Sequence, residues 1–311
     1  MPGQKIITLL AAATEIVCAL GLQDELVGRS HECDYPETIK ALPVCTEVNL
    51  NDQLSSREID SQVKRILTDA LSVYSVKRDL IKQLQPDVII TQDQCQVCAV
   101  PLQQVEQELT DYLHKPAHII SLQPHTLNDI LNDISRVANA LGAQAAGEDL
   151  LERLNERLDI IRHKLKFSEN KPTVACMEWL DPLMIAGNWV PEMVEIAGGI
   201  PVLTDAGKHS PYISWESIAE ADPDVLILTP CGFSMDRTLK ELNVLLEHPG
   251  FNNLKAVKNN RFYIADGNQY FNRSGPRIID SVEILAEIIH PKQFIFGYEG
   301  NGWMKFEIAS P

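Results

Sequence analysis

Two short stretches carry most of the reactive side chains. "PDVIITQDQCQVCAV" ends an apolar run with Cys95 and Cys98 in a C-x-x-C spacing, preceded by Gln94. Such a pair can be a redox dithiol, half of a metal site, or two small apolar residues beside a pocket. "HECDYP" places His31, Glu32, Cys33 and Asp34 in a row, followed by Tyr35. An imidazole and a thiol two residues apart can ligate a metal, so His31, Cys33, Cys95 and Cys98 are the metal-ligating candidates. Structural zinc asks for four ligands, and no second C-x-x-C completes a set, although Cys231 could join from another loop. The same residues could equally be polar and small groups at the ends of strands.

Aromatic side chains gather in three other stretches. "EWLDPLMIAGNWVPE" holds Trp179 and Trp189, "PCGF" holds Phe233, and "GNQYFNRSGPR" holds Tyr270, Phe271 and Arg273. Indole and phenyl rings can cover a large flat ligand, and a guanidinium can pair with an acidic or amide substituent. Asp-Pro and Gly-Asn turn signals around Trp189 favour a loop position. The chain has no G-x-S-x-G, P-loop or H-E-x-x-H pattern, and "AGG" after "VPEMVEI" reads as a helix C-cap.

These stretches follow strands. "KIITLL", "ELVGRS", "PDVIITQ", "HIISL", "TVACME", "DVLILTP" and "RFYIAD" alternate with helical patterns, which predicts parallel α/β sheets. Ligand sites in such sheets form beyond the carboxyl ends of the strands, where the candidates fall. Between the two groups of strands, Gln144 to Leu165 carries Leu150, Leu151, Leu154, Leu158, Ile161 and Leu165 at steps of one, three and four residues. This stripe predicts one unbroken helix, a strut between two α/β lobes. The expected organisation is an N-terminal lobe over 1–142, a connecting helix over 143–167 and a C-terminal lobe over 168–311, with a ligand cleft between lobes. An internal echo, "LQPDVIITQDQC" against "ADPDVLILTPC", supports related lobes.

The chain has 311 residues and a net charge of −16. That balance opposes nucleic-acid binding and adsorption to an anionic membrane, and permits docking on a basic protein surface. Seven unevenly spaced cysteines do not make a disulfide framework, and reduced thiols favour a reducing compartment. No apolar run reaches the roughly 20 residues of a membrane helix. The start reads as strand, turn and helix rather than as a signal peptide. Together these features lean toward the cytoplasm.

The stretches "TLLAAATEIVCALGLQDELVGRSHECDYP", "MEWLDPLMIAGNWVPEMVEIAGG" and "DGNQYFNRSGPRIIDSVEILAEIIHP" resemble cobalamin-binding-protein-like sequences. The chain looks like the substrate-binding component of an ABC importer for cobalamin, haem or an iron-siderophore complex. The resemblance runs from about Ile6 to His290. It implies two α/β lobes joined by one long helix, with a binder rather than an enzyme. The ligand expected is a large metal chelate, first a corrinoid, held non-covalently. The implied ligand-binding set is His31, Glu32, Cys33, Tyr35, Gln94, Cys95, Cys98, Trp179, Trp189, Phe233, Tyr270, Phe271 and Arg273. A monomer working outside the cytoplasmic membrane is implied, against the cytoplasmic lean above. The alternative is an intracellular metal- or redox-active enzyme on the same scaffold.

The family docks on its permease through one acidic residue per lobe. Asp79 and Glu216 each precede the proline of the echoed Pro-Asp-Val by seven residues, Pro86 and Pro223, and are the docking candidates. A carboxylate in a helix's first turn is also favoured by the helix dipole alone.

Overall fold

The computed structural model describes residues 3–68, 73–92 and 113–307. They gather into two compact units. One comprises Met1–Leu54, Glu58–Pro124 and Asn128–Glu152; the other comprises Ser55–Arg57, His125–Leu127 and Arg153–Pro311.

The first unit is built on a parallel sheet of β1 (Ile6–Thr8), β2 (Leu26–Arg29), β5 (Val88–Gln92) and β6 (His118–Leu122) in the order β2-β1-β5-β6. All five residues of β5 are buried, as a strand covered on both faces requires. Helices α1 (Ala11–Ala19), α3 (Arg78–Leu84) and α4 (Leu127–Ala140) belong mainly to this unit, as does most of α2 (Ser56–Thr68). Ile7, Leu9, Cys45, Val76, Ile81 and Ile89 pack into one cluster. A two-stranded antiparallel ribbon, β3 (Thr46–Val48) and β4 (Tyr74–Val76), is an addition that the sequence patterns do not announce.

The second unit carries a sheet in the order β12-β11-β10-β7-β8, with β9 (Ile200–Pro201) also paired to β7. Strands β7 (Thr173–Leu180), β10 (Val225–Leu228) and β11 (Phe262–Ala265) are parallel; β8 (Leu183–Ile185) and β12 (Trp303–Lys305) run antiparallel. Around it lie α6 (Val190–Ile196), α7 (Trp215–Ala221), α8 (Met235–Lys240), α9 (Asn243–Leu246), α10 (Lys255–Lys258) and α11 (Ile278–Ile289). The seven strand-like runs read from the sequence are all strands, and the chain is α/β with mainly parallel sheets.

Helix α5 (Gln144–Leu165) is continuous over 22 residues, about 33 Å at 1.5 Å per residue. Leu150, Leu154, Leu158 and Ile161 are its buried stripe. Arg157 donates to Asp280 at 2.6 Å and to both carboxylate oxygens of Glu283 at 2.9 and 2.6 Å, fastening this helix to α11. The division between the units falls within α5, between Glu152 and Arg153.

The sequence echo has a structural counterpart in each unit. Helix α3 ends on Gln85 and α7 on Asp222, both left-handed (φ 48° and 39°). Each cap N–H returns to a buried isoleucine, Ile81 and Ile218, at 3.0 Å. Pro-Asp and the central strand follow in both units, with Val88 paired to Ile6 and Val225 to Val174.

Candidate ligand-binding loops

In the first unit the loop after β2 is held from three directions. The Arg29 guanidinium donates to the carbonyls of Ser30 (3.0 Å), Cys33 (3.1 Å) and Lys40 (3.0 Å), so one side chain braces the turn that carries "HECDYP". Thr46 Oγ1 of β3 accepts the His31 backbone N–H at 3.0 Å, lies 2.7 Å from His31 Nδ1 and donates to Ser30 Oγ at 3.2 Å. With the one hydroxyl proton directed at Ser30, Nδ1 carries the imidazole proton and Nε2 keeps the lone pair. Burial, above all, holds the His31 pKa below its usual value; Arg29 and Lys77 add to this and Asp52 opposes it. The neutral ring is the form that ligates a metal.

Tyr74 of β4 completes the arrangement. Its hydroxyl donates to Glu32 Oε1 at 2.8 Å, and its ring lies 4.9 Å from the His31 ring. Tyr35, two residues beyond Cys33, is 48% exposed. Thr46, Tyr74 and Arg29 are neighbours of this loop that sequence reasoning missed. Two of them sit on three-residue strands too short for a periodic signal.

In the second unit three carboxyl-end loops are knitted by backbone bonds. Cys231 N–H donates to Glu178 O (3.1 Å), Gly232 N–H to Gly267 O (3.3 Å), and Asn268 N–H to Phe233 O (3.1 Å). Asp266, just past β11, accepts from the N–H groups of Asn268 (3.0 Å) and Gln269 (2.8 Å) and fixes the next turn. On this frame Trp179 packs against Phe233 with ring centroids 5.1 Å apart. The Arg237 guanidinium lies 4.7 Å from the other aromatic partner, the Phe233 ring. The Ser55–Arg57 segment closes the group. Trp179 Nε1 donates to Ser56 O (3.2 Å), Ser56 N–H to Glu241 Oε2 (2.8 Å), and Arg57 Nε to Asp181 Oδ2 (2.7 Å). Glu241 and Arg237 are 2.5 Å apart, which ties this aromatic pair to α8. Tyr270 is half-buried under the Arg277 guanidinium at 5.6 Å.

Several sequence candidates prove to be interior. Cys33 is 1% exposed, and its Sγ accepts from Thr14 Oγ1 at 2.9 Å, which in turn lies 2.6 Å from Thr8 Oγ1. It is a member of a buried hydroxyl–thiol chain at the end of β1, not a loop ligand. Trp189 caps α6 from within: 7% exposed, it donates its indole N–H to Phe271 O at 2.7 Å. The Asp-Pro and Gly-Asn turns do exist, but Asn188 at φ 51° turns the chain so that the indole enters the core. Phe271 is fully buried at φ 59°, its N–H given to Ser281 Oγ at 2.9 Å. Arg273 is also buried, with Nη2 3.4 Å from Asn268 Oδ1, so its guanidinium supports the loop from behind. Phe233 is the buried partner beneath the half-exposed Trp179.

Gln94, Cys95 and Cys98 lie outside the described residues. Among the described residues no three His, Cys, Asp or Glu side chains converge as a metal site would need. Asp79 and Glu216 are both exposed in the first turns of α3 and α7. No helix among the described residues is long and apolar enough to cross a membrane.

Known proteins place these loops in context. An uncharacterized ABC transporter substrate-binding lipoprotein of Bacillus subtilis, YvrC, is 24% identical, over 94% of this chain and 81% of the relative. A vitamin B12-binding protein of Vibrio cholerae is 23% identical, over 91% of this chain and 87% of its own. The fold matches the apo periplasmic heme-binding protein RhuT of Roseiflexus with a TM-score of 0.67 and 24% identity, covering 93% and 98% of the two chains. These relatives, together with a family model described as periplasmic binding protein, overturn the lean toward the cytoplasm. The thiols misled because Cys33, Cys45 and Cys176 are core residues. Burial raises Cys45 to about 11 and Cys176 to about 12, so neither reports on the redox state of its surroundings. With that model matching residues 6–268, the chain is a substrate-binding protein, not an enzyme, and belongs to the periplasmic binding protein family.

Proposed function

We propose that this protein binds a large metal chelate, a corrinoid before haem or a ferric siderophore, and delivers it to the permease of an ABC importer. The observation that carries the reading is the contact of Trp179 with Phe233, their rings tilted by 55° with centroids 5.1 Å apart, set on the knitted carboxyl-end loops of the second sheet. A half-exposed indole backed by a buried phenyl and a guanidinium is a rigid apolar platform with a polar margin. This suits a macrocycle that is flat and amide-fringed. The vitamin B12-binding relatives support the corrinoid choice.

In the first unit the loop offers His31 and Tyr35, both of types that ligate iron in haem proteins. The 48% exposure of Tyr35 favours haem as the second reading. Titrating the purified protein with cobalamin, cobinamide, haem and a ferric siderophore, followed by tryptophan fluorescence and visible absorbance, separates the readings. Tightest binding of a corrinoid supports the proposal. Binding of haem alone, with a Soret shift lost in Tyr35→Phe, replaces it by the haem reading. Permease docking is assigned to Asp79 and Glu216, which occupy equivalent first-turn positions ahead of equivalent Pro-Asp-strand connections.

A further inference from the structure

The segment that leaves α5 is unlike the rest of the chain in charge. From Arg162 to Lys171 the sequence "RHKLKFSENK" holds four Lys or Arg residues against one Glu, in a protein of net charge −16. All four cations are exposed, and Phe167 among them is 85% exposed.

This segment shares one surface of the second unit with the chain that follows α11. Lys164 Nζ lies 5.2 Å from the ring of Phe294, which stacks on Phe296 at 5.7 Å. Ile295 between them is 88% exposed. Lys166 Nζ lies 5.5 Å from the Phe167 ring. Beside them a groove of about 320 Å³ is lined by Arg162, Ser168, Lys171 and Glu195. Asp159 pairs with Arg162 at 3.1 Å, so the acids nearby offset the cations only in part. The floor is closed by the α6 terminus. There Gly198 (φ 83°) leaves no room for a side chain, since a Cβ would lie 2.6 Å from His290 Nε2.

We propose that this patch is a docking surface for an anionic lipid membrane. Lysines would meet headgroup phosphates, Arg162 and Lys171 would receive one in the groove, and Phe167 and Ile295 would enter the interface. Exposed aromatic and aliphatic tips between lysines are the features that hold a protein on a charged bilayer. The net charge of the whole chain does not forbid this. At physiological ionic strength interactions are screened beyond about 8 Å, so the bilayer senses the local patch. The family model that matches the chain is described as periplasmic binding protein, and the periplasm is a compartment bounded by lipid.

The test is cosedimentation of the full chain with large vesicles of 70% phosphatidylcholine and 30% phosphatidylglycerol. Binding is expected, at least tenfold weaker to pure phosphatidylcholine, and released by 0.5 M sodium chloride. Lys164→Glu with Lys166→Glu should weaken it at least tenfold. Phe167→Ser with Ile295→Ser should weaken it independently. Both pairs should keep the wild-type melting temperature and corrinoid titration. The proposal is overturned if the wild type stays in the supernatant or if both folded pairs bind as well as it does. It is also overturned if inorganic phosphate releases the protein far better than chloride of equal ionic strength, which would mark a site for the free anion. A dimer in vesicle-free solution that the same substitutions abolish would assign the patch to a second copy instead.

Discussion

Asp87 and Asp224 perform the same task in the two units. Asp87 Oδ2 accepts the backbone N–H of Lys5, and Asp224 Oδ2 that of Thr173, each at 2.9 Å. In both cases the aspartate after a proline clasps the start of the neighbouring central strand, β1 or β7. Asp224 is the better protected and also accepts from Thr173 Oγ1, while its own N–H donates to that oxygen. Asp224→Ala should therefore cost about 1–3 kcal/mol and Asp87→Ala, at an exposed site, about 0.5–1 kcal/mol. Urea unfolding of the two variants checks the order. The Thr173 N–H bond, first among the causes, holds the Asp224 pKa below the usual carboxylate value. Its contribution is present at neutral pH and is lost as pH falls through that lowered value, so the Asp224→Ala difference should shrink below about pH 4.

That clasp was half legible in the sequence. The repeated Pro-Asp-Val marks it, because a helix stop, a proline and a buried strand leave a local signature. The long stripe of α5 was legible for a similar reason. What escaped depends on tertiary pairing. Thr46 and Tyr74 reach His31 and Glu32 only because two three-residue strands, 25 residues apart in sequence, zip together. Glu241 reaches Ser56 across 185 positions. Trp189 was misread because turn chemistry tells where the chain bends, not toward which side the next side chain points.

The two tryptophans should separate under mutation. Trp179→Ala removes the more exposed ring of the Trp179–Phe233 pair and should weaken ligand binding about 10- to 100-fold, roughly 1.4–2.8 kcal/mol. Loss of the indole bond to Ser56 O should also cost about 0.5–1.5 kcal/mol of stability. Trp189→Phe loses a buried indole hydrogen bond and leaves the Phe271 carbonyl unsatisfied, so it should cost about 1–3 kcal/mol of stability. Its ligand affinity should stay near wild type. Paired melting curves and titrations read both quantities, and equal affinity losses would put both indoles at the ligand.

His31 gives the protein a calculable pH response. Its pKa is lowered in the folded state, chiefly by burial, so the unfolded chain binds the proton more readily. Stability from this group is therefore complete above the ordinary histidine value of about 6.5. It declines as pH falls from there toward the lowered folded value. His290, lowered chiefly by burial as well, acts in the same direction. Burial raises the pKa values of Asp133, Glu178 and Asp280, which act in the opposite direction, so the His31 effect is read as a difference: between pH 6.5 and 5 the wild-type urea midpoint should fall relative to that of His31→Gln. A difference between the two proteins that stays level over this range would mean that His31 protonates in place.

The permease assignment rests on charge and can be tested by reversing it. Asp79 and Glu216 are exposed, sit in the first turns of α3 and α7, and precede the same cap, proline and aspartate in each unit. A helix N-terminus already favours a carboxylate there, which accounts for the residue type without any partner. Hydrogen bonding at its own N-terminal turn lowers the Glu216 pKa, so the group is fully ionised at neutral pH. Asp79→Lys with Glu216→Lys would present two cations to a permease surface that receives carboxylates, and like-charge contact suppresses association. The double variant should lose ligand uptake in cells that depend on this protein, while corrinoid affinity of the purified chain stays within about twofold of wild type. Asp79→Asn with Glu216→Gln removes attraction without adding repulsion and should fall between the two. Full transport by the Lys variant would release both residues from the docking role and leave them as helix-terminal carboxylates alone.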